Sequence, residues 1–246
     1  QWNNSADLYV GRRGESTLNI ENGGVVSNRD GFIAYDSSGY DSNADSVVTV
    51  TGSGSQWNNS GDLHVGGKYG QGTLNIENGG VVSNSDGFLG WASDDNKRSW
   101  VTVTGSGSQW NNSGNLYIGG NASQQRRRGE LTISDSGLVD VTGTTKVWGR
   151  GTLTLGGGNL TTGSFDNTAN GTFNFNDGTL TVNGSGGTFS LGNDSFTLDG
   201  DTSTANPTLV LSGGATGTVS SNFVVGNNEQ GTLNISGGSQ LTNADG

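Results

Sequence analysis

No cysteine occurs in the chain, which excludes disulfides, thiol chemistry and any cysteine-based metal site. A secreted protein of this composition must therefore rest on its backbone ladder. Histidine is nearly as scarce: His64 is alone, so a histidine-built zinc site is excluded as well. Basic residues are few, 11 against 22 acidic ones, and the net charge is −11. Phosphate binding needs a basic face, so nucleic acid is not an expected partner. The only basic run, Arg126, Arg127 and Arg128, sits in the irregular stretch "NASQQRRRGE" and reads as a solvated loop. No apolar run approaches the ~20 residues that span a bilayer, so direct membrane insertion of this segment is not expected. No signal peptide is visible. The text opens in the middle of a repeat, which points to an excised or processed piece, so the missing signal carries no information.

What is present is glycine, 46 residues of it, with Asn, Ser, Thr and Asp, all of which favour turns over helix interiors. Proline occurs once, at Pro207. Hydrophobic residues make up only 29%, too few for a helical bundle, but they fall in short alternating groups of Val, Ile, Leu and Phe. That is a strand signal, and a disordered segment would lack it.

The chain repeats itself. "QWNNSADLYVGR" at 1–12 returns as "QWNNSGDLHVGG" at 56–67 and "QWNNSGNLYIGG" at 109–120. "STLNIENGGVVSN" at 16–28 matches "GTLNIENGGVVSN" at 72–84, and "GTLNISGGSQLTN" follows at 231–243. The long unit divides in two, because "LNIENGGVVSNSDGFLG" and "VTVTGSGSQWNNSGDLHVG" share one plan of strand, glycine-rich turn, short strand, and strand ending in glycine. First strands start near Leu18, Val48, Leu74, Val101, Leu131, Leu153, Phe173, Phe189, Leu209 and Leu233.

In "TLNI" the side chains alternate, so Leu74 and Ile76 share one side. A single such coil has too few apolar residues for a core. Stacked ~4.8 Å above a neighbour, it pairs its backbone above and below and completes a narrow continuous core. Parallel crossovers are right-handed. The expected fold is all-β: a single-stranded, right-handed parallel β-helix (β-solenoid) of about ten coils, roughly 50 Å long. An antiparallel sandwich would not copy turn and strand together. Residues 1–246 read as one continuous segment of a longer chain: long coils with QWNN repeats over 1–130, shorter coils over 131–225, and the start of another long coil over 226–246. No capping element is legible at either end, so either more chain flanks this segment or its ends pair with other copies.

The phrases "GTLNIENGGVVSN", "GTLTLGGGNLTTG" and "VTVTGSGSQWNN" resemble the passenger regions of bacterial autotransporter adhesins and related large surface β-helix proteins, over essentially the whole chain. The resemblance implies a secreted rod at a bacterial cell surface. It also fits the absence of cysteine, since such passengers cross the outer membrane unfolded.

Candidate sites are sparse. Asp30, Asp86 and Asp245, in "SNRDG", "SNSDG" and "TNADG", read as turn residues. Asp30 and Asp86 would lie two coils apart, ~9–10 Å, and serve the turns better than a glycosidase pair. Asp7 and Asp62 are matched by Asn115 in the third copy, so no fixed charge is required there. Asp36, Asp41 and Asp45, with Asp94 and Asp95, form oxygen-rich loops that match no calcium motif. No cofactor is expected, with Ca²⁺ the weaker alternative.

"SQWNN" sets tryptophan where "VVSN" has valine, so Trp2, Trp57 and Trp110 should face inwards at a corner. Trp100 and Trp148 break the pattern and read as loop residues. Tyr9, His64 and Tyr117, between inward apolar neighbours, should face outwards and are the candidate ligand-facing residues. The reading is a non-enzymatic, extracellular adhesive scaffold at the bacterial cell surface, with surface glycans or further copies of itself as partners. The alternatives are a polysaccharide-processing β-helix, such as a depolymerase, and a self-assembling filament subunit.

Overall fold

The computed structural model describes residues 1–35, 45–67, 70–90, 97–120, 128–192 and 195–243. Among these, all 25 regular elements are β-strands. Twenty-three join in one sheet that winds through about eight turns with parallel pairings, a β-solenoid. The remaining two, Phe196–Leu198 and Phe223–Val225, pair with each other. Among the described residues no helix is long and apolar enough to cross a membrane.

Each coil of the first half has three strands, and like strands stack into three faces. Face one stacks Ser16–Ile20, Ser46–Thr51, Gly72–Glu77, Arg98–Thr104 and Arg128–Ser134. Face two stacks Trp2–Asn3, Val25–Asn28, Gln56–Asn59, Val81–Asn84 and Gln109–Asn112. Face three stacks Leu8–Val10, Gly31–Ile33, Leu63–Val65, Gly87–Leu89 and Leu116–Ile118. Along the inner strands of these faces the residues alternate between core and surface. Val48, Leu74, Val101 and Leu131 thus form a buried row on face one.

Face two explains the repeated words. Trp2, Val26, Trp57, Val82, Trp110 and Val139 are register partners in one row. Trp57 and Trp110 are fully buried, as their equivalence with valine predicts. Each indole N–H donates to an asparagine in the preceding coil, Trp57 to Asn28 Oδ1 and Trp110 to Asn84 Oδ1, both at 2.7 Å. The same amides then donate to the asparagines of the tryptophan coils, Asn28 to Asn59 and Asn84 to Asn112, again at 2.7 Å. Space for the indole comes from face three, where Leu8, Gly31, Leu63, Gly87 and Leu116 alternate in size. A Cβ on Gly31 would stand 2.8 Å from Trp57 Cζ2, and one on Gly87 would stand 2.9 Å from Trp110 Cζ2. "QWNN…L" and "VVSN…G" are therefore complementary halves of one packing unit. Trp2 takes the same row, paired with Val26, and is 50% exposed.

The count of about eight turns corrects the expected ten. The starts from Leu18 to Phe173 do share face one. The later ones do not. Phe189 pairs with Phe165, in the row that continues face three, while Leu209 pairs with Leu180 and Leu233 with Leu209, in the row that continues face two. The Gly-Thr-hydrophobic phrase moves from face to face, so spacing alone counts strands of different faces as coils. Past Phe173, face one continues through ring packing: Phe173 stacks on Phe196 at 5.9 Å, and Phe196 packs on Phe223 at 5.6 Å.

Two further expectations change. Trp100 lies in the strand Arg98–Thr104, facing outwards, where it pairs with Thr73 and Glu130. Trp148 does follow a strand end, but it is buried under the Lys146 side chain, whose Nζ is 4.6 Å from the ring centroid. Arg128 opens a strand beside Arg98, whereas Arg126 and Arg127 lie outside the described residues.

Candidate binding face

The outward positions of face three form a continuous column. The middle residues of its strands are Tyr9, Phe32, His64, Phe88 and Tyr117, successive register partners. Their rings lie nearly parallel, with centroids 4.7, 4.9, 4.7 and 5.1 Å apart from coil to coil. Tyr9, His64 and Tyr117 thus take the outward positions read from the sequence. Phe32 and Phe88 complete the column. Their signal was in the text: "DGFIA" and "DGFLG" occupy the place of "DLYVG" and "DLHVG", by the same equivalence that matches valine with tryptophan.

Ring pairs of this kind contribute about 0.5–1.5 kcal/mol each beyond burial. Stacking also covers the ring faces, so what the column offers a partner is ring edges. At one end the Arg12 guanidinium lies 5.5 Å from the Tyr9 ring, and Tyr35 tilts against both Tyr9 and Phe32. At the other end Tyr117 pairs with Lys146, which is bonded to Asp166. Burial in the column lowers the His64 pKa below the usual imidazole value, while the Asp62 and Asp30 charges oppose the shift. Burial likewise raises the Tyr9 and Tyr117 phenols, and the Asp7 charge adds to the effect at Tyr9.

Beside the rings runs a second column, two residues earlier in each coil: Asp7, Asp30, Asp62, Asp86 and Asn115. Each carboxylate accepts the backbone N–H of its successor, Asp7 from Asp30 at 3.4 Å, Asp30 from Asp62 at 3.0 Å, Asp62 from Asp86 at 3.0 Å, and Asp86 from Asn115 at 2.6 Å. Asn115 Oδ1 does the same for Thr144 N at 2.9 Å. An amide carbonyl thus replaces a carboxylate at one rung without loss of the bond. Asp30 and Asp86 are two coils apart, as expected, with Asp62 between them. At the outer end Asp7 is also clamped by Arg29 at 2.8 and 2.9 Å, which holds its carboxyl below the usual range.

The remaining acidic candidates lie elsewhere. Asp45 accepts from Gln71 N and Nε2 and lies 3.5 Å from Lys97 Nζ. Asp36, Asp41, Asp94, Asp95 and Asp245 fall outside the described residues. Among the described residues no group of three or more acidic, histidine or cysteine side chains is placed to hold a metal ion.

Comparison with known proteins finds two partial relatives. Over 127 residues the chain is 30% identical to the adhesin BmaC autotransporter of Brucella suis biovar 1 (strain 1330), a match that covers 51% of this chain and 4% of that protein. Over 164 residues it is 29% identical to the uncharacterized lipoprotein YdeK of Escherichia coli (strain K12), covering 61% of this chain and 11% of the other. The chain thus spans only a small part of the length of these curated relatives. No family model matches it. No solved structure matches it either. The similarity to an autotransporter adhesin, together with the stacked parallel coils, bears out the resemblance read from the repeat phrases.

Proposed function

We propose that the chain is a non-enzymatic, rod-like segment of a bacterial surface adhesin, exported to the cell exterior, whose solenoid serves as scaffold and adhesive surface. The observation that carries this reading is the unbroken outward column Tyr9–Phe32–His64–Phe88–Tyr117 beside its aspartate column. A rod that repeats one surface element at every coil makes many weak contacts with a repetitive partner, and the summed avidity far exceeds any single contact. The similarity to an autotransporter adhesin supports a place at the envelope or surface. The engagement of the aspartates with backbone N–H groups supports a structural duty for them, distinct from acid–base work.

The test is retention on a panel of immobilised surface polysaccharides, with the mass of any released product followed in parallel. Retention without new oligosaccharides, reduced in a His64→Ala/Tyr117→Ala variant that remains folded, is the expected result. Cleavage would move the assignment to a depolymerase. Growth in particle length with concentration, without retention, would move it to a filament subunit.

A further inference from the structure

Face one carries a groove of about 500 Å³, within the ~300–1,000 Å³ of ordinary small-ligand sites. Thr17, Val47, Thr73 and Trp100 line it and are register partners from coil to coil, so it runs along the rod for three coil spacings, about 14 Å. Glu15, Asp45 and Gln71, each just ahead of its strand, line the same groove. Trp100 differs from the rings of face three. Its neighbours in the column are Thr73 and Glu130, and among the described residues no ring stacks on it. Its indole N–H donates to Glu130 Oε2 at 3.1 Å, and Glu130 is held in turn by Arg98, so the ring is fixed before any ligand arrives. Asp45 and Gln71 are likewise locked together, at 2.8 Å between Nε2 and Oδ2.

A fixed aromatic wall with carboxylate, amide and hydroxyl groups along one channel is the chemistry that recognises a sugar: the apolar face of a pyranose packs on the ring, and its hydroxyls bond to the polar side. The charge narrows the class. The carboxylates Glu15, Asp45 and Glu130 face the cations Lys97 and Arg98, which pair with Asp45 and Glu130, and the chain carries −11 overall, so uronates and other anionic sugars are disfavoured. We propose that this groove binds about two or three residues of a neutral or amino-sugar glycan, with Trp100 as the stacking wall and the Asp45–Gln71 pair reading hydroxyls. The inference does not rest on the column of face three, and the two fail independently.

Isothermal titration calorimetry of the full chain tests it, with chitotriose, glucosamine trimer and maltotriose as probes and trigalacturonate as the acidic control. Saturable binding of at least one of the first three is expected. It should weaken at least tenfold in Trp100→Ala and in Gln71→Ala, and recover in part in Trp100→Phe. Thermal melts confirm that each variant is folded. Failure of all three non-acidic trimers to bind overturns the proposal. So does affinity unaffected by Trp100→Ala, or trigalacturonate binding as tightly as the others.

Discussion

If tryptophan and glycine are the two halves of one packing unit, their removal must be non-additive, and the coils around Trp110 give the numbers. A methyl on Gly87 would lie 2.5 Å from Asn112 Oδ1 and 2.9 Å from both Trp110 Cζ2 and Leu116 Cδ1. Overpacking of that kind costs about 1–3 kcal/mol, offset by about 0.4–1 kcal/mol from the stiffer unfolded chain. Trp110→Val turns the face-two row into uniform valine at that point. Truncation of a buried aromatic costs roughly 3–5 kcal/mol. Loss of the indole donor to Asn84 adds about 1–3 kcal/mol. In the double variant Trp110→Val/Gly87→Ala the new methyl enters volume the indole has vacated, and Leu116 gains room to shift. The pair should therefore be less destabilising than the sum by about 1–2 kcal/mol. Urea unfolding followed by the strand circular-dichroism signal measures all four corners of the cycle. Trp57 and Gly31 supply an internal replicate, with the corresponding methyl 2.4 Å from Asn59 Oδ1 and 2.8 Å from Trp57 Cζ2. Additivity within about 0.5 kcal/mol at both sites would refute the complementarity.

The aspartate column yields a sharper contrast within one residue. Asp86→Asn should leave stability within about 0.5 kcal/mol of wild type, as Asn115 already shows that a carbonyl suffices, whereas Asp86→Ala strands the Asn115 N–H and should cost about 1–2 kcal/mol; equal losses in calorimetric melts would count against the backbone-bonding role. His64 makes stability depend on pH. Its folded pKa lies below the ordinary 6.5, so the folded state holds fewer protons than the unfolded one, and its contribution, complete above that value, is lost as the pH falls through the folded pKa. His64→Phe keeps the stack and should remove this part of the slope between pH 7 and 5, which parallel denaturation curves would reveal. At the amide ladder, Asn28→Ala removes both the acceptor of the Trp57 indole and the donor to Asn59, and a drop of about 2–4 kcal/mol is expected in the same unfolding assay.

The parts of this architecture that are legible in the sequence are those where one local pattern maps to one place in the coil. Trp57 and Trp110 are assignable to the core because "QWNN" and "VVSN" align letter by letter, and the register repeats that alignment. Tyr9, His64 and Tyr117 could be turned outwards because strands alternate. Phe32 and Phe88 escaped because a phenylalanine after glycine looks like core filler. What marks them as outward is the glycine itself, which holds the inward position opposite an indole. The coil count failed for a related reason. "GTF" and "TLVL" satisfy any face of the solenoid, and nothing local tells Phe189 or Leu209 which row it will join. Trp100 reads as a loop residue because a large aromatic among threonines breaks the repeat, whereas it sits in the strand Arg98–Thr104. The groove it lines is assembled from four coils, a juxtaposition that no single stretch of text contains.

The alternation of indole and glycine also constrains how such a rod changes its length over generations. Duplicating a tryptophan coil alone would set tryptophan against tryptophan in face two and leucine against leucine in face three, with no vacant volume to receive the ring, and duplicating a valine coil alone would set glycine against glycine and leave that volume empty. Only an even number of coils can be copied or deleted in this region without either a clash or a void. The reach of the molecule is therefore inherited in fixed increments of about 10 Å, two strand spacings at a time.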